Sequence, residues 1–334
     1  MRNPHSPGKP SPQSAESLLD GRVVASHGRH VVVEDAEGIR HGCRLFGRRL
    51  SPVCGDRVAW SLEAAEGATG MVVEVQPRDT TLSRCNLRGE PEDIAANLTH
   101  LVAVLAPVPA PDFSICDRYL AAAEWAGLSA GVVLNKADLR ARAGAGLDAE
   151  LAHYAALGYA VVETSKVGAE GIARLAALLA AHTSVLVGQS GVGKSSLTNL
   201  LIPGVEAAVN EVSRATEEGK HTTTASTLYH LPHGGELIDS PGVRDFSPPP
   251  PEPRHVAGGF REIAAAGHDC RFADCLHTGE PGCAVAAEAA AGRIPQRRLG
   301  SYLRLLDLAR QFDEQRRSTT RKVSPGRPGG SRHR

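Results

Sequence analysis

The chain has 334 residues, enough for about two or three domains with cores of their own. Its 37 basic and 37 acidic residues cancel, so binding to a polyanion must depend on local patches and not on net charge. No run reaches the roughly 18 apolar residues of a membrane span, and residues 1–17 lack the apolar core of a signal peptide. Seven cysteines, an odd number, argue against a disulfide framework. We therefore expect a cytoplasmic protein that does not contact a membrane.

The N-terminal part is predicted to be a small β-barrel that follows a disordered tail over residues 1–20. Residues 21–80 contain about five short runs of alternating apolar and polar residues, separated by turn residues. The number of residues and strands makes an OB-type barrel the natural candidate, although this segment alone fits an SH3-like barrel equally well. Basic side chains are interspersed among these runs. Two interpretations fit them: an RNA-binding surface and an ordinary solvated face. These are Arg22, Arg29, Arg44, Arg48, Arg49 and Arg57. Motifs further along the chain favour RNA binding.

A second domain is predicted over residues 90–250, after a polar and basic linker over residues 77–92. Continuous apolar runs over residues 101–105 and 131–134 are typical of buried parallel strands. Helical patterns over residues 113–126, 147–157 and 171–181 alternate with these and further strands. The alternation predicts an α/β fold with a doubly wound parallel sheet.

A tetrapeptide that follows the strand over residues 131–134 indicates guanine. It consists of Asn135, Lys136, Ala137 and Asp138. The aspartate can accept two hydrogen bonds from the N1–H and exocyclic amino group of guanine, and adenine offers neither donor in that arrangement. Thr164, Ser165 and Lys166 follow the next strand and fit a loop that packs against the base.

The pattern G-x-x-x-x-G-K-[ST] occurs between a predicted strand over residues 184–187 and a predicted helix over residues 195–201. In such a phosphate-binding loop, glycines let the backbone close around an anion at the N-terminus of a helix. Lys194 would reach the β- and γ-phosphates, and the Ser195 hydroxyl would ligate Mg²⁺. The loop comprises Gly188, Gln189, Ser190, Gly191, Val192, Gly193, Lys194, Ser195 and Ser196.

Two later segments complete the predicted magnesium site. Residues 219–224 offer three threonines as a ligand; we assign Thr223, although the spacing does not distinguish it from Thr222 and Thr224. After a strand over residues 236–238, Asp239 would hold a water of Mg²⁺, and the Gly242 N–H would face the γ-phosphate.

Residues 251–312 are predicted to form a helical domain with one structural zinc ion, followed by a basic disordered tail over residues 313–334. The ligands are Cys270, Cys275, His277 and Cys283, spaced C-x4-C-x-H-x5-C. Three thiolates and one imidazole suit a closed tetrahedral site without catalytic access. Nearby arginines are candidate RNA contacts or parts of a solvated basic face. They are Arg293, Arg297, Arg298 and Arg304.

The motif order is permuted: the Asn-Lys-x-Asp motif precedes the phosphate loop, whereas it follows in ordinary small GTPases. A permuted GTPase domain between a barrel and a Cys/His cluster resembles the ribosome small subunit-dependent GTPase A family (RsgA, also called YjeQ). The resemblance covers about residues 22–310 and implies zinc in the C-terminal domain. That family also has a hydrophobic residue, here Val243, where many GTPases carry a water-orienting glutamine. His221 then becomes the candidate for orienting water. The alternative is that His221 is only an exposed loop residue.

The resemblance implies a GTP hydrolase that binds the small ribosomal subunit and its rRNA during late maturation. Its catalytic residues would be His221, Lys194 and Asp239, with Mg²⁺ bound alongside GTP. Without a placed arginine or glutamine, turnover should be slow until the subunit stimulates it. Two alternatives are a P-loop kinase that acts on a small acceptor and an RNA-binding scaffold stabilised by nucleotide. We expect a monomer.

Overall fold

The structure is a computed structural model that describes residues 18–62, 70–85, 90–204, 226–240 and 248–323. Five strands close into an N-terminal ring in the order β1-β2-β3-β5-β4, with β4 paired back to β1. Only β3 and β5 are parallel. This is an OB-type barrel, which decides between the two barrels that the sequence left open. The strands are β1 (Leu19–His27), β2 (His30–Glu34), β3 (Arg40–Leu45), β4 (Arg57–Ser61) and β5 (Gly70–Val75).

The interior of the barrel follows from the alternation in its strands. Successive side chains of a strand point to opposite faces, so every second residue enters the ring. The enclosed core contains Val23, Val31, Val33, Cys43, Leu45, Val58, Trp60 and Val72. The alternation therefore predicts which side chains enter the barrel, while Val24 and Val32 point the other way and are buried in the core of the central domain.

The predicted linker over residues 77–92 is wrong, because a hairpin begins within it. β6 (Thr81–Cys85) pairs antiparallel with β7 (Pro91–Ala96). Leu82 and Ile94 are buried, while the other face carries the polar and basic residues that suggested a linker. Arg78 ties this segment to the barrel, because its guanidinium binds the carboxylates of both Asp56 and Asp93.

The central domain is a sheet in the order β10-β9-β8-β11-β13-β12, parallel except for β12. The apolar runs of β8 and β11 are buried because helices cover the sheet. Its strands are β8 (His100–Leu105), β9 (Ser129–Leu134), β10 (Ala160–Glu163), β11 (Thr183–Val187), β12 (Ser226–His230) and β13 (Glu236–Asp239). Its helices are α1 (Phe113–Trp125), α2 (Leu147–Ala156), α3 (Ala169–Leu179) and α4 (Lys194–Leu201). The predicted doubly wound α/β domain is confirmed.

The C-terminal domain is helical. A 3₁₀ helix (Pro253–Gly259) precedes α5 (Arg261–Gly267), α6 (Ala284–Ala290) and α7 (Gln296–Val323). The last helix continues beyond residue 312, so the prediction of a disordered tail is wrong for residues 313–323. No glycine or proline interrupts this stretch, and Asp313 and Arg317 pair one turn apart at 2.9 Å. The rest of that tail, and the N-terminal tail up to residue 17, lie outside the described residues.

The barrel and the central sheet are joined edge to edge. β1 pairs antiparallel with β12 through Ala25 with Thr227 and Ser26 with Ser226, which creates one eleven-stranded sheet. Across the described part of the chain, no helix combines the length and the apolar content that a membrane span requires.

Candidate functional site

The predicted phosphate loop connects the end of β11 to the start of α4. Its glycines at 188, 191 and 193 all have positive φ angles, of 150°, 80° and 99°. Side chains are excluded at two of them: a Cβ at Gly188 would lie 2.3 Å from the Val104 carbonyl oxygen, and one at Gly193 would lie 2.3 Å from Asn135 Nδ2. The backbone can therefore close at these points only because the residues are glycine.

Lys194 is the first residue of α4, and its side chain bends back into the loop. Its ammonium group donates to the carbonyl oxygens of Gly188 at 2.5 Å and Gln189 at 2.8 Å. The positive charge thus lies inside the loop, beside the N-terminal end of a helix. Both features favour an anion at this place.

The predicted guanine motif contacts the phosphate loop directly. Asn135 donates from Nδ2 to the Val192 carbonyl oxygen at 2.9 Å, and its Oδ1 accepts a hydrogen bond from the Thr164 hydroxyl at 3.0 Å. Lys136 donates from Nζ to the Gly191 carbonyl oxygen at 2.6 Å. Lys136 also has a left-handed backbone, with a φ of 56°, which is uncommon outside glycine and frequent at functional sites. These bonds hold two segments, more than 50 positions apart in sequence, in one arrangement.

The carboxylate proposed for guanine recognition is positioned from the neighbouring loop. Asp138 is exposed, and its Oδ1 accepts a hydrogen bond from the Ser165 hydroxyl at 2.6 Å. The Ala137 N–H donates to the Thr164 carbonyl oxygen at 3.0 Å. A cleft of about 480 Å³ lies between these loops. It is lined by Asn135, Lys136, Lys166, Ser190, Gly191, Gly193, Lys194, Ser195, Ser196, Leu197 and Leu200.

The predicted magnesium and water-orienting residues are only partly covered by the structure. Asp239 ends β13, which runs parallel to β11 through the pair Val185 with Ile238, so both strands end at the edge of the sheet where the phosphate loop starts. Among the other candidates, the threonines 222–224, His221, Gly242 and Val243 lie outside the described residues.

Sequence reasoning missed a contact between the loop and α1. The Asp112 N–H donates to the Gln189 side-chain oxygen at 3.0 Å, and the Asp112 carboxylate caps α1 by accepting from the backbone N–H groups of Ser114 and Ile115. An Asp followed by a helical pattern is an N-cap signal that the sequence does contain. The contact with Gln189, 77 positions away, has no signal in the sequence.

The four predicted metal ligands converge in the C-terminal domain. The ligand atoms of Cys270, Cys275, His277 and Cys283 all lie within 4.8 Å of one another. His277 Nδ1 is 3.5 Å from the sulfurs of both Cys270 and Cys283, and these sulfurs are 4.0 Å apart. Tetrahedral zinc with ordinary bond lengths requires N···S and S···S separations of about 3.5 and 3.8 Å. The donor set and its spacing therefore fit a zinc ion.

The arginines proposed as RNA contacts are instead used within the protein. Arg293 pairs with Glu288, and Arg304 donates to the hydroxyls of Ser114 and Ser301. Arg297 and Arg298 both bind the buried carboxylate of Asp117 on α1. The interpretation of these side chains as an RNA-binding face is therefore wrong for Arg297 and Arg298, because their guanidinium groups connect two domains.

A second carboxylate completes this buried cluster. Arg298 donates from Nε and Nη2 to the two oxygens of Glu262 at 2.6 and 3.0 Å. Burial alone would raise the pKa of Glu262, but the neighbouring His153 and the Arg298 guanidinium outweigh it and lower the pKa to about 2. Glu262 is thus ionised at neutral pH, and the cluster holds the C-terminal domain against α1.

Comparison with known proteins agrees with this architecture. The family model described as RsgA GTPase matches residues 75–248. The chain is 46% identical over 292 residues to the small ribosomal subunit biogenesis GTPase RsgA of Azotobacter vinelandii, covering 86% of this chain and 84% of that one. It is 43% identical to the protein of the same name from Pseudomonas aeruginosa, with 86% and 84% covered.

Two solved structures share the fold. The crystal structure of YjeQ from Thermotoga maritima matches with a TM-score of 0.68 and 29% identity, over 87% of this chain and 98% of that one. YloQ, described as a circularly permuted GTPase, matches with a TM-score of 0.67 and 24% identity, over 90% and 98%. The permuted order of the motifs is thus a property of the fold. With relatives this similar over most of its length, the chain belongs to the RsgA GTPase family.

Proposed function

We propose that this protein binds GTP, hydrolyses it to GDP and phosphate, and acts on the small ribosomal subunit and its rRNA in late maturation. The observation that carries the proposal is the contact of Asn135 and Lys136 with the phosphate loop. A guanine-binding motif fixed to a phosphate-binding loop forms one continuous site for a guanine nucleotide. The relatives named as small ribosomal subunit biogenesis GTPases support the choice of partner.

The residues divide into three roles. Asp138, positioned by Ser165, accepts hydrogen bonds from guanine, while the amides of residues 188–196 and the Lys194 ammonium bind the phosphates. Ser195, Asp239 and Thr223 would hold Mg²⁺ or its waters, and the ion would supply positive charge to the β- and γ-phosphates. In this proposal His221 would orient the attacking water, and the Gly242 N–H would face the γ-phosphate.

Hydrolysis should be slow in the free protein. Val243 has no group that orients water, and an unassisted GTPase can be about 10⁵-fold slower than its activated form. The small subunit then completes the site, and hydrolysis releases the protein from it.

Steady-state hydrolysis with purified subunits tests the proposal. We expect small subunits to stimulate GTP hydrolysis strongly, large subunits to have no such effect, and ATP to be a poor substrate. If adding small subunits leaves GTP hydrolysis by the folded, zinc-loaded protein unchanged, the proposal is contradicted. ATP-dependent phosphorylation of a small acceptor would favour a kinase, and a Lys194→Ala variant that keeps RNA binding without any lost turnover would favour a scaffold.

We also propose that the cysteine cluster holds one structural zinc ion. Backbone N–H groups of Ala284 and Ala286 lie 3.4 Å from the sulfurs of Cys270 and Cys283, which stabilises thiolates as ligands. Metal analysis should give one zinc per chain, and Cys275→Ser should lower both the zinc content and the thermal stability. Cys85→Ser is the matched control because Cys85 lies in the distant hairpin. Equal zinc content in both variants would contradict this assignment.

A further inference from the structure

One end of the barrel presents an exposed aromatic ring on a fixed backbone. Phe46 directly follows β3, and 63% of its surface is exposed. Its backbone N–H donates to the Val72 carbonyl oxygen at 2.8 Å. The chain then turns at Gly47, whose φ is 76°, and Arg29 donates to the Gly47 carbonyl oxygen at 2.9 Å. The backbone that carries the ring is therefore fixed, and the ring itself is exposed.

Three arginines flank this ring in sequence. Arg44, Arg48 and Arg49 are exposed, and in the described part of the chain no carboxylate forms an ion pair with any of them. The other arginines of the barrel are used differently. Arg22 pairs with Glu236 of the central sheet, and Arg57 pairs with Asp79. The barrel thus has seven arginines: Arg22, Arg40 and Arg57 pair with carboxylates, Arg29 donates to backbone carbonyl oxygens, and the three that flank Phe46 in sequence have no ion pair within the described residues.

An exposed ring beside unpaired guanidinium groups fits single-stranded nucleic acid. An unpaired base can stack on the aromatic face, while arginines bind neighbouring phosphates. A duplex offers phosphates but keeps its base faces covered. An acidic protein surface would explain the arginines and would leave the ring without a role.

We propose that Phe46, Arg44, Arg48 and Arg49 form a platform for single-stranded RNA, on which one unpaired base stacks against the phenyl ring. This inference rests on the proposed function, which supplies the RNA of the small subunit as the ligand. It goes beyond that function by naming the contact residues and by requiring an unpaired base.

The platform continues towards the nucleotide site. Arg49 also lines a polar cleft of about 780 Å³ between the barrel, the β6–β7 hairpin and the central sheet. Ser226 and Ser240 form part of its wall, and the Ser226 hydroxyl donates to the Ser240 hydroxyl at 2.6 Å. Ser240 immediately follows Asp239, a proposed magnesium ligand. RNA that extends from Phe46 past Arg49 would therefore reach residues adjoining the hydrolytic site.

Binding of a fluorescein-labelled single-stranded RNA of about 12 nucleotides, a length typical of such sites, tests the platform in the full-length protein. Phe46→Ala should weaken binding by about fivefold or more. Phe46→Trp should keep the affinity, and RNA should quench the fluorescence of the new indole. Arg48→Gln and Arg49→Gln should each reduce the dependence of log affinity on log salt by about 0.7.

Two variants serve as matched controls. Ile39→Ala removes another exposed apolar side chain, 58% exposed, at the opposite end of β3, and Arg57→Gln removes a barrel arginine that already has a partner. Both should bind the RNA as the unaltered protein does. A fully paired RNA of the same length should bind more weakly and should not quench the indole of Phe46→Trp.

Several results would overturn the proposal. One is an RNA affinity of Phe46→Ala equal to that of the unaltered protein. Another is a loss of affinity in the control variants as large as that in the platform variants. A third is quenching of the Phe46→Trp indole by duplex RNA as strong as by single-stranded RNA. Weaker association of Phe46→Ala with small subunits, together with unchanged RNA binding, would assign this surface to a ribosomal protein. If small subunits fail to stimulate hydrolysis by the unaltered protein, the proposed function fails, and the quenching experiment still decides whether the platform exists.

Discussion

At the scale of single residues, the nucleotide site depends on the absence of one side chain. Gly193→Ala would place a Cβ 2.3 Å from Asn135 Nδ2, whereas the nearest atom to a Cβ at Gly191 is Pro109 Cδ at 3.7 Å. Both glycines have positive φ, so both substitutions carry a strain of about 1 kcal/mol. We expect Gly193→Ala to weaken GDP binding by at least about tenfold relative to Gly191→Ala, measured with a fluorescent nucleotide. Equal affinities would show that the contact with Asn135 does not shape the loop.

A buried histidine at the other edge of the sheet makes stability depend on pH. Burial, and then the nearby His182, lower the pKa of His100 to about 4 from 6.5. The unfolded chain therefore takes up a proton at this residue below pH 6.5, while the folded chain does so only near pH 4. The contribution of neutral His100 to the free energy of unfolding is fully present above pH 6.5. It falls by up to about 3 kcal/mol as the pH decreases to 4.

Urea unfolding at pH 7 and pH 5 measures this effect. We expect His100→Gln to lose less stability between the two values than the unaltered protein does, because glutamine does not titrate. His233→Gln, at an exposed position, should show the unaltered dependence. A His100→Gln variant with the same loss of stability would mean that other groups cause it.

At the scale of secondary-structure elements, local sequence patterns predicted the strands and the phosphate loop well. They did not predict the contacts between residues that are distant in sequence. The strands of the central sheet and the phosphate loop have signals in consecutive residues: apolar runs in β8 and β9 and a fixed spacing of glycines before Lys194. The roles of Arg297 and Arg298 have no such signal. Their partner Asp117 lies about 180 positions earlier, and only the folded chain brings α1 against α7. From the sequence alone, this basic pair is therefore predicted to lie on the exposed face of a helix.

The start of α7 should be among the most sensitive places in the chain. Arg298 is fully buried, and Arg298→Met would leave the Glu262 carboxylate without its guanidinium partner. Removing one member of a buried pair costs about 3–5 kcal/mol. We expect a loss of about 3 kcal/mol in unfolding free energy, since Arg297 still binds Asp117. Arg293→Met, in an exposed pair with Glu288, should cost less than about 1 kcal/mol. Similar losses in both variants would show that the buried cluster is not a structural centre.

At the scale of the whole molecule, the barrel is attached to the sheet that carries the nucleotide site. Within the described residues, two residue pairs join β1 to β12, and ion pairs between the barrel and the central sheet lie at one end of this contact. Arg22 binds Glu236 at 2.6 Å, and His230 contacts Glu34 at 2.6 Å. β12 and β13 also lead to the proposed magnesium ligand Asp239. A displacement of the barrel would therefore move strands that end at the nucleotide site.

This attachment leads to a prediction about activation. Arg22→Gln removes the ion pair with Glu236 and leaves the phosphate loop and the guanine motif intact, so hydrolysis by the free protein should not change. Stimulation by small subunits should decrease by about threefold or more, which corresponds to the ~0.7 kcal/mol of a partly exposed ion pair. Arg57→Gln removes a pair between the barrel and Asp79 of the segment that follows it, and should keep full stimulation. If Arg22→Gln is also fully stimulated, the orientation of the barrel does not contribute to activation, and the subunit must act directly on the nucleotide site.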